Sequence, residues 1–225
     1  MREEFEYYNF FKTPNILIED AKEGIKGNRG KSLAINFIFW LSKLSFFAGL
    51  ILLILAVANI NNINFNLITF LILGFIFLLL STLTYGPLKV SQCKHSINMV
   101  ENTNPKFKDL AFGFKNKYFR NVFYGISLVF VYLFNLILLI LPFVNKFINY
   151  QISGYILAEN NDISVGEALR ISTKLSKGHS IRFLKVFVKF IPEMLLCIPT
   201  ILVYSLWLRP KYNATIYCYY KDIKE

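Results

Sequence analysis

The sequence predicts an all-α fold: an integral membrane six-helix bundle made of three parallel repeats, each an amphipathic surface helix followed by a transmembrane hairpin. Three observations predict this class. Hydrophobic residues make up 55% of the 225-residue chain. They are gathered in long runs, and about 20 apolar residues are enough to cross a bilayer. The net charge is +11, and Lys and Arg concentrate between the runs, as they do in cytoplasmic loops.

The same charge could suggest a nucleic-acid partner, but no soluble segment combines a basic face with base-stacking aromatics. We therefore expect no nucleic-acid binding. Residues 1–15 are acidic and aromatic and do not resemble a secretory signal peptide. Cys93, Cys197 and Cys218 are far apart and lack metal-binding spacing, so we expect apolar filler roles rather than disulfides or zinc ligands.

The first part of the chain is predicted as a peripheral segment followed by a hairpin. Residues 1–31 are predicted to form a cytoplasmic arm and an amphipathic helix over Ile16–Lys31, whose end is marked by Gly27, Gly30 and the basic residues beside them. The first two spans are predicted at 32–60 and 63–85, with an Asn-rich, uncharged turn between them. Both segments exceed the length needed to cross a bilayer.

The second hairpin follows a cytoplasmic connector, residues 86–119, which opens with a predicted helix break at Gly86-Pro87. The third span is predicted at 120–141 and ends at Pro142. Residues 143–158 are shorter and more polar. Their composition fits either a fourth crossing or an interfacial helix.

A second cytoplasmic connector, residues 159–181, contains the clearest local signals. Ser164 and Glu167 have capping-box spacing, in which the serine accepts from the N3 amide and the glutamate from the N-cap amide. Gly178 predicts the helix end. The helix between them is amphipathic and basic, and it is expected to lie flat on the inner membrane surface.

The last hairpin is predicted at 182–198 and 200–220, turning near Pro199, with a cytoplasmic tail at 221–225. A single span would instead leave the tail outside. The positive-inside rule favours the hairpin. With six spans only Lys146 falls near an outer turn, whereas five spans would place four more cations outside.

Two connectors align without gaps, which suggests an internal repeat. Glu101–Asn104 precedes Asp109–Ala111 just as Glu159–Asp162 precedes Glu167–Leu169. A weaker third copy begins at Asp20-Ala21. Each unit would start and end inside, so the repeats are parallel. Chance similarity between Asn- and Lys-rich loops is the alternative.

Charged residues of the last hairpin form the candidate site. At ~1.5 Å per residue around a turn near Pro199, Glu193 and Arg209 differ in depth by roughly 6–9 Å. We predict an intramembrane ion pair between them, because an unpaired charge there costs at least about 2.5–3.5 kcal/mol. The other cations are predicted to line a groove for an anionic lipid headgroup or solute: Arg182, Lys185, Lys189 and Lys211. Snorkelling lysines beside one packing ion pair are the alternative.

No catalytic, cofactor or metal site is predicted. His95 and His179 lie in basic turns without the acid–His–nucleophile order of a hydrolase, and no phosphate-binding or zinc-protease motif is present. Glu159, Asn160 and Asp162 could gather a cation, but cap and turn roles are favoured.

Several segments resemble one family. They are LILLILP ending at Pro142, the stretch Gly154–His179, LWL at Leu206–Leu208 with Pro210, and YYKDI at Tyr219–Ile223. From Ala21 to Asp222 the chain resembles bacterial six-span membrane proteins catalogued as domain of unknown function 975. The resemblance implies six helices in a bacterial plasma membrane with both termini cytoplasmic, and it implies no activity.

The chain departs from that family in its second half. The family has Pro-Gly at Pro142-Phe143, an apolar Gly-Trp-containing stretch at Pro192-Glu193, and uncharged residues at Arg209 and Lys211. The third hairpin turn and the packing of the last hairpin are therefore expected to differ from the family pattern.

The expected function is that of a non-enzymatic multi-pass membrane protein that interacts with lipids or proteins through basic amphipathic helices on its cytoplasmic face. Its expected partners are membrane lipids with anionic headgroups, and a membrane protein or a second copy of the chain. The alternative is a small permease for an anionic solute or lipid. A lipid-processing enzyme is least favoured, since the sequence supplies no nucleophile or metal cluster.

Overall fold

The structure is a computed structural model that describes residues 11–58, 65–103, 105–138, 147–197, 200 and 203–224. Over these ranges the chain is helical and contains no strand, which confirms the all-α class. The helices are α1 (Pro14–Ile25), α2 (Arg29–Ala58), α3 (Phe65–Val100), α4 (Phe112–Lys115), α5 (Tyr118–Leu138), α6 (Ser153–Glu159), α7 (Val165–Ser176), α8 (Ser180–Leu195) and α9 (Ser205–Lys224). A 3₁₀ turn, Phe107–Ala111, precedes α4.

Among the described residues, two helices are long and apolar enough to cross a membrane, α2 over its whole length and α3 from Leu67. They form an antiparallel hairpin, in which Ser42 lies 3.0 Å from Thr84 and Ser45 donates to the Phe77 carbonyl. A shorter apolar stretch, Tyr118–Val131, lies in α5. Two spans support membrane association, while the six-span bundle stays a prediction.

The predicted helix break at Gly86-Pro87 is wrong, because α3 continues through Pro87 to Val100. At this point α3 packs very closely against α5. A Cβ on Gly86 would stand 1.9 Å from the Asn121 carbonyl oxygen, and one on Gly125 would stand 2.7 Å from the Gly86 Cα. This tertiary packing outweighs the loss of one helical hydrogen bond at the proline.

The α2–α3 hairpin has two different halves. Large apolar side chains are exposed from Leu41 to Val57 and from Ile68 to Leu83. Beyond Gly86, α3 is almost wholly buried under the other helices and carries a polar network instead. Within this network Gln92 donates to the Asn36 side-chain oxygen over 2.8 Å.

The start and end predicted for the second surface helix are confirmed in α7. The Glu167 amide donates to Ser164 Oγ over 3.2 Å, and Gly178 has a left-handed φ of 88° just after the helix. In the first connector the Lys106 amide donates to Asp109 at 3.0 Å. Ser164 and Lys106 hold equivalent positions in the gap-free alignment. The third copy differs, since α1 begins at Pro14 and Asp20 lies inside it.

The apolar face of α7 is covered by the chain itself. Val165, Ala168 and Ser172 are buried, and Ser172 Oγ donates to the Asn149 carbonyl. Only the charged face of α7 is therefore open for contact with a membrane surface.

Helices α8 and α9 pack against each other as the predicted last hairpin requires. The second half of α9 is buried among α1 and α3. The predicted turn at Pro199 and the segment from Pro142 to Lys146 lie outside the described residues. All three cysteines are buried and free, which confirms their role as apolar fillers.

Candidate functional site

Arg182, in the first turn of α8, is not part of an open groove. It is buried, and its guanidinium donates to the Asp222 carboxylate and to the Lys12 carbonyl, the latter over 2.7 Å. The rings of Phe11 and Tyr219 lie 4.8 and 5.5 Å from its central carbon. Its charge thus ties the N-terminal arm to the end of α9, which corrects its predicted role.

The predicted pairing of Glu193 with Arg209 is also corrected. The Glu193 carboxylate accepts from Lys211. The Arg209 guanidinium lies over the Phe39 ring of α2, 4.8 Å from its centroid. Residues two apart on a helix point about 200° apart, so depth alone did not decide which cation faces Glu193.

Lys185 and Lys189 are exposed on α8, and Lys189 donates to the Asn15 side chain of α1. The four cations predicted to line one groove therefore separate. Arg182 is buried in an ion pair, Lys211 is paired with Glu193, and the two lysines lie at the outer surface.

The outer face of α8 is apolar. Its exposed apolar residues recur every three or four positions: Ile181, Leu184, Val188, Ile191 and Leu195. Lys185 and Lys189 border this apolar stripe on one side, and the opposite face, which includes Val186 and Phe190, is buried. A helix inside a soluble protein turns such a stripe towards the core, whereas α8 turns a second apolar stripe outward.

Lys211 lines a cleft of about 270 Å³ where α1, α2 and α9 meet. Lys22 and Arg29 provide two further cations, and Trp207 provides an exposed aromatic wall. The cleft lining contains no carboxylate. Sequence reasoning did not identify Lys22 and Arg29 as site residues, because nothing local links them to a residue near the C-terminus.

Comparison with known proteins bears on the second half of the chain. The sequence model of the family described as "Protein of unknown function (DUF975)" matches residues 120–225. The matched segment is slightly less than half of the 225-residue chain. The match confirms the predicted family, and the resemblance over 21–119 stays a prediction. No curated protein and no solved structure matches the chain.

A Ser–His–Asp arrangement lies before the DUF975 segment. His95 Nε2 is 3.1 Å from Ser32 Oγ, and His95 Nδ1 is 3.2 Å from Asp109. Burial acts to raise the pKa of Asp109, but hydrogen bonds from His95, Asn98 and the Lys106 amide outweigh it and lower the pKa.

The Ser32–His95–Asp109 arrangement resembles a hydrolase triad. However, Ser32 has no exposed surface, and its hydroxyl also donates to Met99 Sδ over 2.8 Å. None of the three residues lines a described cavity. The arrangement joins α2, α3 and the first connector, and it offers no nucleophile to a substrate. Sequence reasoning missed it because the three residues come from separate elements.

The acids of the DUF975 segment's connector have structural partners. Glu159 accepts from Tyr220 over 2.9 Å, and Asp162 pairs with Lys117 at 3.0 Å. Arg120, at the start of α5, donates to backbone carbonyls of the same connector. No group of three metal-ligating side chains occurs in the described ranges.

His179 is the N-cap residue of α8. Its ring packs edge-on against Phe11, with centroids 4.9 Å apart, and its carbonyl accepts from Tyr219. Burial lowers the pKa of His179, and the nearby charge of Arg182 lowers it further. The imidazole is therefore neutral around pH 7 and packs as an aromatic ring.

Proposed function

We propose that this chain is a non-enzymatic multi-pass membrane protein that contacts anionic lipids through the outer face of α8. The carrying observation is the exposed apolar stripe bordered by Lys185 and Lys189. Apolar side chains on an outward face suit lipid tails, and lysine stems along such a face let their ammonium groups reach the headgroups.

The proposed topology has six spans, with both termini in the cytoplasm of a bacterial cell. The apolar α2–α3 hairpin and the distribution of Lys and Arg support it. In this topology α8 starts at the cytoplasmic side, so Lys185 and Lys189 lie in the half nearest the inner-leaflet headgroups. Lys106 and Ser164, at matching positions, each make one of the two bonds of a capping box, and this match supports two of the three proposed repeats.

The contribution of the α8 lysines sets the size of the effect to expect. Each Lys near an anionic membrane surface contributes about 1 kcal/mol. Two such residues contribute about 2 kcal/mol, which is a preference for anionic over zwitterionic lipid of roughly 30-fold. Salt should weaken this preference, because exposed charges are screened.

The test is a double substitution, Lys185→Gln with Lys189→Gln, in bilayers of phosphatidylcholine containing a fixed fraction of phosphatidylglycerol. Spin-labelled analogues of both lipids report their relative association with the protein surface. We expect the phosphatidylglycerol preference to fall by up to roughly 30-fold. The control is Lys174→Gln with Lys177→Gln, which removes the same charge from the exposed face of α7, where no apolar stripe is present. Equal effects in both variants, or none in the first, would contradict the proposal.

The cleft at Lys22, Arg29 and Lys211 favours a second candidate function, uptake of a small anion. Its cations come from three helices, and its lining contains no acid. Accumulation of labelled inorganic phosphate in proteoliposomes, lost on Arg29→Gln, would support a permease. Retained lipid preference without accumulation would support the lipid-contacting protein.

A further inference from the structure

Three cations from three helices converge around one aromatic pair. Lys43 Nζ of α2 and the Arg209 guanidinium of α9 lie 5.5 and 4.8 Å from the centroid of the same Phe39 ring. Phe39 packs against Tyr85 of α3, with centroids 5.8 Å apart. Lys89 follows Tyr85 by one turn of α3, so the two side chains lie on the same side of that helix. We call Lys43, Lys89 and Arg209 the cation trio.

The trio contains no acid. None of its members takes part in an ion pair or a hydrogen bond with another side chain in the described part of the chain. The neighbouring cations differ, since Arg182 has Asp222 and Lys211 has Glu193. Like charges held together and half-buried repel one another, so the arrangement favours binding of an anion.

The trio lies at the lower edge of the exposed apolar surface. Leu83 is the last large exposed apolar residue of α3, two residues before Tyr85 and six before Lys89. From Gly86 onward α3 is covered by the cytoplasmic helices. With the membrane placement proposed above, on which this step rests, the trio stands at the depth of the inner-leaflet phosphates.

A groove of about 440 Å³ lies between α2, α3 and α5, and Lys43 is the member of the trio that lines it. Small ligands occupy pockets of about 300–1,000 Å³. The directions of the helices place Lys43 and Tyr85 at the cytoplasmic end of the groove. The walls above them are mainly apolar and include Phe46, Phe47, Ile126, Val129 and Phe130.

The polar wall residues of the groove are used within the helices. Ser81 donates to the Ser42 carbonyl at 3.3 Å, and Thr82 donates to the Leu78 carbonyl at 2.9 Å. The groove therefore presents an apolar channel with the Lys43 ammonium at one end. That pattern matches an amphiphile with an anionic head and a hydrocarbon chain.

We propose that the cation trio and this groove bind one anionic phospholipid of the inner leaflet, with its phosphate at Lys43, Lys89 and Arg209 and one acyl chain along the groove. This is a fixed site for a single lipid, distinct from the loose surface contact assigned to α8. Three positive charges favour phosphatidylglycerol over phosphatidylcholine, because the choline cation would face the trio.

The test counts lipids that stay bound after extraction from mixed phosphatidylcholine and phosphatidylglycerol bilayers, using native mass spectrometry. We expect one phosphatidylglycerol per chain in the wild type. Lys43→Gln and Arg209→Gln should each lower its occupancy by roughly tenfold or more, whereas Lys43→Arg should keep it. Thr82→Trp should displace the chain from the groove. The matched control is Ile54→Trp, which adds the same ring to an exposed site outside the groove.

A stability measurement separates lipid binding from a structural role. In lipid-free detergent, Lys43→Gln should raise the unfolding temperature, because it relieves repulsion within the trio. A lowered temperature together with unchanged lipid occupancy would overturn the proposal. So would retention of phosphatidylcholine as firmly as phosphatidylglycerol, or equal loss of lipid in the Thr82 and Ile54 variants.

The two proposals fail in different ways. If the trio variants keep their phosphatidylglycerol while the α8 double variant loses its surface preference, only the fixed site is wrong. If the α8 variant behaves as the wild type while the trio variants lose the retained lipid, only the α8 proposal is wrong.

Discussion

Cations of the last hairpin differ in what surrounds them, and that difference sets what each substitution should do. Arg182 is 6% exposed and paired with Asp222, which is 13% exposed. Lys211 and Glu193 form a more open pair, whereas Arg209 makes no ion pair within the described ranges and lies over the Phe39 ring. A cation–π contact contributes about 0.5–2 kcal/mol, whereas removing one partner of a buried ion pair costs about 3–5 kcal/mol.

Asp222→Asn should therefore be the most damaging single charge change in the hairpin. It leaves Arg182 buried without a counter-charge, and we expect it to lower the free energy of unfolding by about 3–5 kcal/mol. Thermal and denaturant unfolding in one detergent measure the change. The double variant Arg182→Met with Asp222→Leu should recover much of the loss, because it removes both buried charges.

The matched control is Lys224→Gln, which breaks the pair with Glu159 at the surface. Lys224 is 51% exposed, and exposed ion pairs contribute about 0–1 kcal/mol. If Asp222→Asn costs no more than Lys224→Gln, Arg182 does not depend on its buried partner.

At the scale of elements, α3 is the helix around which the others are arranged. Its first half pairs with α2 in the exposed apolar hairpin, and its second half contacts α1, α4, α5, α6 and α9. The close contact of Gly86 with α5 marks the boundary between the exposed first half of α3 and its buried second half. This contact also brings Tyr85 and Lys89 beside the groove.

Gly86→Ala should show how much depends on that approach. A Cβ there would meet the Asn121 carbonyl oxygen at 1.9 Å, so the two helix backbones must separate. Overpacking a tight site costs about 1–3 kcal/mol. We expect lower thermal stability in detergent and a smaller fraction of monodisperse protein after extraction.

Gly30→Ala in α2 is the control, because it should not lower the stability of the protein. Nothing lies within 4 Å of a Cβ at Gly30, and Ala is favoured over Gly in a helix by up to about 1 kcal/mol. This control should be neutral or slightly stabilising. Similar destabilisation in both variants would indicate a general intolerance of alanine rather than a close α3–α5 contact.

Local signals in the sequence predicted local structure well. The Ser164 cap and the Gly178 stop depend on nearby backbone groups, and both are present. The apolar lengths of α2 and α3 likewise needed no tertiary information. The break at Pro87 was wrong because packing against α5, which begins 31 residues later, outweighs a local preference.

The candidate site was harder to predict, because its contacts join distant segments. Spacing placed Glu193 and Arg209 at compatible depths, but it did not give the rotation of α9 that turns Lys211 towards Glu193. Arg182 finds Asp222 near the end of the chain. Lys43 lies inside the first predicted span, but no local pattern links it or Lys89 to Arg209, because that link exists only after three helices have packed.

At the scale of the whole molecule, the described chain has an apolar end and a polar end. The α2–α3 hairpin exposes hydrocarbon, while the surface helices, the buried polar network and the second half of α9 lie together at the other end. The polar end carries most of the basic connectors, which is the asymmetry expected of a protein anchored from the cytoplasmic side.

The proposed six-span topology is tested by accessibility of single cysteines to a membrane-impermeant maleimide. The native thiols are buried, so they give little background, and a variant with all three replaced by serine or alanine verifies this. Asn62→Cys and Lys146→Cys should react in intact cells, because six spans place both turns outside. Lys174→Cys and Lys221→Cys should react only after permeabilisation.

Reaction of Lys221→Cys from outside would mean a single last span and a tail outside the cell. Protection of Lys146→Cys would mean that the segment before α6 lies along the interface, and that the lysines of α8 approach the bilayer from a different side than proposed.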